Sequence, residues 1–102
     1  MVQITERASV ELRRLLIDHF ARPHQGVRLR LDDAGDLAMT IDVPHSGDSV
    51  IRRDHVPVLI IDGRLAQRLA QRVLDFSALP GASGGFKLGW RGQTRAASEE
   101  PG

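Results

Sequence analysis

The apolar residues of this chain change their spacing around Pro23–Gly26, and that change limits the folds open to it. Before the break, Ala8, Leu12, Leu15, Leu16 and Phe20 fall on one stripe at helical spacing. Thr5 stands ahead of the stripe as a helix cap, and Glu6 lies in the first turn, where the helix dipole favours an acid. Pro23 and the Gly26 region end the helix and turn the chain. After the break the period falls to two. Val27, Leu29 and Leu31 alternate with Arg28, Arg30 and Asp32, the pattern of a half-buried strand. Leu37, Met39, Ile41 and Val43 alternate in the same way. The turn Asp32–Asp36, with Gly35 free to take positive φ, joins the two segments as a β-hairpin.

The same reading carries on along the chain. Ser49–Arg52 reads as a short edge strand. Val56, Val58 and Ile60 make another strand, and Pro57, which has no N–H, argues that it starts late or lies on an edge. Asp62 caps a second helix over residues 63–72, with Leu65, Leu69 and Val73 on its apolar face and Arg64, Arg68 and Arg72 on another. Val73–Phe76 is a short strand, Leu79–Gly85 a glycine-rich loop, and Phe86, Leu88 and Trp90 mark a final strand. The order predicts a single small α+β domain over residues 1–91, with two helices packed outside a mixed β-sheet. Residues 92–102 hold no apolar side chain larger than alanine and are expected to form a disordered tail.

Composition narrows the chemistry. A chain of 102 residues suits one domain. Its aromatic residues are Phe20, Phe76, Phe86 and Trp90, so the core rests on Leu, Ile, Val and Ala. The net charge of +1 gives no general electrostatic case for nucleic acid or an anionic membrane. No apolar run is long enough to span a bilayer. The opening MVQITERAS has no apolar signal core, so a cytoplasmic protein is expected. The chain has no cysteine, which closes off thiolate metal sites, disulfides, redox pairs and cysteine nucleophiles.

Five segments, in order, carry a resemblance. They are ITERASVELRRLL (Ile4–Leu16), GVRLRLD (Gly26–Asp32), VPVLIID (Val56–Asp62), VLDF (Val73–Phe76) and SGGFKLGW (Ser83–Trp90). Across about residues 3–90 the chain resembles the HesB/IscA-like domain of the A-type iron–sulfur carriers. The resemblance implies a small β-rich fold with helices outside, a homodimer or higher homo-oligomer, and binding or delivery of iron or an iron–sulfur cluster. It also implies three cysteine ligands. One would follow the first core strand, where this chain has Asp33-Ala34-Gly35-Asp36-Leu37. Two would lie in a tail that here is Gly92–Gly102. Every ligand position is vacant, so the scaffold is expected without the cysteine-held cluster, and no cofactor is assigned.

Other side chains were weighed as substitutes. Asp32, Asp33 and Asp36 are closely spaced oxygen donors of a kind that hard metals take, but the spacing is not that of a calcium loop and is ordinary turn composition. His45 and His55 flank the edge strand as candidate ligands, while His19 and His24 straddle the end of the first helix. PGASGGF (Pro80–Phe86) runs into a strand rather than the helix that a phosphate loop needs. Arg64, Arg68 and Arg72 are either a solvated face or a contact for an acidic partner, and Trp90 is either an interface anchor or a core lid. No nucleophile-elbow sequence supports an enzyme. The expectation is a non-catalytic protein with an interaction role and an unknown protein partner. Its alternatives are a metal-binding module using Asp and His, or an accessory of iron–sulfur biogenesis.

Overall fold

In the computed structural model, which describes residues 2–77 and 85–91, the first helix forms where the apolar stripe predicts it. Helix α1 spans Glu6–Asp18 and buries Ala8, Ser9, Leu12 and Leu16. The Thr5 hydroxyl accepts the Ala8 N–H at 3.2 Å and donates to Asp75 Oδ1 at 2.6 Å. One side chain therefore caps the helix and ties it to a distant strand. The helix stops before Pro23. The Phe20 N–H donates to the Ile17 carbonyl and the Ala21 N–H to the Leu16 carbonyl, the paired bonds of a Schellman turn. That turn needs a left-handed residue, usually glycine. Here Phe20 takes it at φ 54°, with its ring 91% exposed.

The described residues form seven strands: β1 (Gln3–Ile4), β2 (Gly26–Leu31), β3 (Leu37–Asp42), β4 (Ser49–Arg53), β5 (Val56–Ile61), β6 (Arg72–Ser77) and β7 (Gly85–Trp90). They divide into two sheets. One has the order β1-β6-β7 and the other β3-β2-β5-β4. Each is mixed: β1 runs parallel to β6 and β2 parallel to β5, and the remaining pairs are antiparallel. Helix α1 packs against β6 of one sheet and against β2 and β5 of the other. Leu12, Val27, Leu29, Val58, Leu59, Ile61 and Leu74 form the centre of the core, all essentially inaccessible.

β5 is a central strand, and its run from Pro57 to Ile61 is wholly buried, as expected of a strand covered on both faces. Pro57 is tolerated there because the parallel ladder to β2 begins only at Leu59 and the ladder to β4 shifts register between Ile51 and Arg52. The chains crowd at this point. A Cβ on Gly26 would stand 1.6 Å from the Pro57 carbonyl oxygen, so only glycine fits. β4 is an edge strand, as the sequence suggests.

The second helix corrects the sequence reading. α2 spans Gly63–Arg68, not 63–72. Asp62 caps it as expected, its Oδ1 accepting the Arg64 N–H at 2.8 Å. Beyond Leu69 the chain turns and Arg72 opens β6, where pairing with β1 and β7 outweighs helix propensity. Among the described residues no helix is long and apolar enough to cross a membrane. Most of the predicted glycine-rich loop and the predicted tail lie outside the described residues.

Candidate functional site

Alternation along β2 puts Arg28 on the same polar face as Arg30, yet Arg28 is only 5% exposed. β2 is an inner strand, and its neighbours supply what a buried guanidinium requires. Nε donates to Asp42 Oδ2 at 2.6 Å, and Nη2 donates to Asp48 Oδ2 at 2.7 Å and to the Val43 carbonyl at 3.2 Å. Asp42 ends β3, and Gly26 is its Cα partner, so it lies diagonal to Arg28 on the same sheet face. Asp48 comes from the loop after β3 and also accepts the His45 N–H at 2.7 Å. Hydrogen bonding to Asp48, then to Asp42, holds the Arg28 pKa above its ordinary value against the opposing pull of burial. The Arg28 guanidinium in turn holds both carboxyls below the usual carboxylate range.

This triad is the floor of a cleft of about 560 Å³. Arg30 comes from β2, His45 and Ser46 from the loop, and Arg64 and Arg68 from α2. Asp62 also borders it, with its carboxylate engaged in capping α2.

The residues singled out in the sequence scatter over several places. Arg64 and Arg68 reach the cleft, but Arg72 does not share their face. It opens β6, where Nε donates to the Gly89 carbonyl and Nη2 to the Leu88 carbonyl, both at 3.1 Å. Its guanidinium lies 4.2 Å over the Trp90 ring. Trp90 is 51% exposed and is the Cα partner of Arg72 across the strand pair. Two residues chosen for different reasons thus meet at one corner.

The candidate metal ligands do not assemble. Asp32 Oδ1 accepts the Ala34 and Asp36 N–H groups, which makes the acidic segment a self-satisfied turn around Gly35 at φ 86°. Asp33 and Asp36 are exposed on that turn. His45 stands on the cleft rim, 3.9 Å from Asp42. His55 belongs to the β4–β5 turn at φ 70° and borders a separate hollow with His24. His19 Nδ1 lies 2.9 Å from the Leu15 carbonyl oxygen at the end of α1. Among the described residues no group of three or more His, Asp or Glu could hold a metal ion. The donor set does not fit a cysteine-held cluster, because the chain has no thiolate and the Asp32–Asp36 turn uses its Asp32 carboxylate on its own backbone.

Sequence reasoning missed Arg28, Arg30, Asp42 and Asp48. The available signal was indirect: an arginine in an apolar strand, with two aspartates bracketing the next loop.

No protein-family model matches the chain, and no curated protein matches it. Solved structures do. The crystal structure of Escherichia coli SufA, involved in biosynthesis of iron–sulfur clusters, is 19% identical over 87% of this chain and 84% of its own, with a TM-score of 0.60. An Aquifex aeolicus protein solved by solution NMR is 22% identical over 86% and 89%, with a TM-score of 0.63. IscA, crystallised with its [2Fe–2S] cluster, is 19% identical over 88% and 85%, with a TM-score of 0.58. The chain therefore has the fold seen in SufA and IscA, as its resemblance to the HesB/IscA-like domain implied.

Proposed function

We propose that this chain is a non-catalytic interaction protein built on the iron–sulfur carrier scaffold and working without a cysteine-ligated cluster. The observation that supports this reading is one contrast. The fold follows SufA and IscA over 87–88% of the chain, while the sequence offers no thiolate anywhere. The cleft carboxyls also suit structure better than proton transfer. Arg28 pins Asp42 and Asp48 in the ionised state, whereas a general acid or base works best near the operating pH.

The contact surface we assign is the Trp90–Arg72 corner, and its occupant is a second copy of the chain. Among the described residues β7 pairs with β6 alone, so its outer edge is open to a further strand, apart from the carbonyl there that already accepts from Arg72. A half-exposed tryptophan steadied by a guanidinium is a suitable anchor beside such an edge. An iron–sulfur biogenesis role would then be exercised through protein contact.

Anaerobic purification followed by reconstitution with iron and sulfide tests the reading. The expected outcome is no stoichiometric, chelator-sensitive cluster absorbance; its appearance would overturn the proposal. Light scattering tests the surface. The parent chain should be a dimer or larger, and Trp90→Glu should shift it toward monomer.

A further inference from the structure

We infer that the cleft between β2, the 44–48 loop and α2 binds a small, multiply charged oxyanion, a phosphate ester or a polycarboxylate, through Arg30, Arg64 and Arg68. The inference goes beyond the interaction role and does not depend on it.

Three carboxylates border the cleft. Asp42 and Asp48 are bonded to Arg28, and Asp62 accepts two backbone N–H groups of α2. Of the four arginines there, only Arg28 is matched. The guanidinium groups of Arg30, Arg64 and Arg68 make no ion pair or side-chain hydrogen bond among the described residues. Among the exposed arginines elsewhere, Arg13 pairs with Asp54 at 2.8 Å and Arg14 with Glu11 at 3.7 Å, while Arg7, Arg22, Arg52 and Arg53 make no ion pair among the described residues but do not border this cleft. What sets Arg30, Arg64 and Arg68 apart is that three unmatched guanidinium groups from two elements border one concavity. Low-dielectric walls concentrate such a field and draw in anions.

Geometry sets the class of ligand. Guanidinium forks match carboxylate and phosphate oxygens two at a time. The cations come from two different elements, β2 and α2, so one ligand must bridge them. The floor carries two carboxylates against one guanidinium, so a single negative charge gains little on entering. A ligand with several charges gains from all three rim arginines. The volume of about 560 Å³ suits a small molecule. The net charge of +1 gives no comparable attraction for a long polyanion. The floor is already rigid, since Arg28 joins β2, β3 and the loop, so little ordering cost remains for binding.

Calorimetry on the intact chain at low salt, with pyrophosphate and citrate as probes and acetate as control, tests the site. We expect at least one probe to bind one-to-one with a dissociation constant below about 1 mM, weakening as salt is raised. Binding of pyrophosphate alone assigns a phosphate ligand, and binding of citrate alone a polycarboxylate. Either outcome supports the site. The double variant Arg64→Gln/Arg68→Gln should weaken binding by about tenfold or more, and Arg30→Gln should weaken it in the same direction. Arg13→Gln, outside the cleft, should leave binding unchanged. All these side chains are exposed, so melting curves should match the parent. No heat from either probe at about 10 mM would overturn the inference, because that is weaker than any specific site of this kind. So would undiminished binding by the double variant, equal binding of acetate, or tighter binding of a single-stranded RNA oligonucleotide than of either probe.

Discussion

Arg28 and Arg72 occupy alternating positions in the two sheets, and each holds its cation in a different way. Arg28 is 5% exposed and takes two carboxylates and a carbonyl. Arg72 is half-buried and takes two carbonyls and an indole face, with no counter-charge among the described residues. The difference follows from position in the sheet. An inner strand flanked by a loop leaves the guanidinium little access to water, so the charge requires paired anions. Beside an open edge, solvent does part of that work, and carbonyl dipoles with a ring quadrupole suffice. One arrangement locks a loop over a cleft; the other holds a tryptophan out where a partner can reach it.

The largest expected effect tests that contrast directly. Arg28→Ala should cost about 3 kcal/mol in urea denaturation, because it leaves the part-buried Asp42 and Asp48 carboxylates without the buried cation that both of them share. Arg72→Ala should cost only about 1 kcal/mol, and an equal loss at both sites would break the comparison. Acid sharpens it next. Asp42 and Asp48 have folded pKa values below the usual 3.8. Their stabilisation is therefore complete above that value and is lost as pH falls through the folded values. Asp75 adds a loss of the same sign: burial opposes its ionisation, but the Thr5 hydroxyl and the Phe76 N–H outweigh it. Urea midpoints measured from pH 7 downward should fall steeply below about pH 4 in the parent chain, and less steeply in Asp48→Asn. Arg72→Met should keep the parental slope, since among the described residues no carboxylate pairs with that guanidinium. It should instead change the emission of Trp90, the only tryptophan. The smallest effect has the opposite sign and lies outside both sheets. Phe20→Gly should stabilise the chain by about 0.5 kcal/mol, relief of the left-handed conformation outweighing the extra freedom of the unfolded chain.

What the sequence revealed divides along the same physical line. Local signals were legible. Thr5 and Asp62 cap their helices as their residue types suggest, and period-two alternation located β2, β3, β5 and β7. Features decided by distant chain segments were not. β1 is only Gln3–Ile4, too short to show a period, and exists because β6 lies alongside. The stretch after Arg68 still looks helical, with Leu69 and Ala70, until a strand partner captures Arg72. Alternation could place Arg28 on one face of β2 but could not say that a loop covers that face. The cleft was half visible: Arg64 and Arg68 stood out by spacing, while Arg30 joined them only once β2 and α2 came together.

Gly26 carries a consequence for how the chain finds this fold. β2 and β5 are parallel and far apart in sequence, the kind of pairing that can slip by a residue and turn a buried face outward. The missing Cβ at position 26 lets the Pro57 carbonyl approach where any side chain would collide. A slipped pairing would set Val27 against that carbonyl instead, and the same collision would reject it. The position thus discriminates among competing alignments during the search, before any site on the finished surface exists to be used.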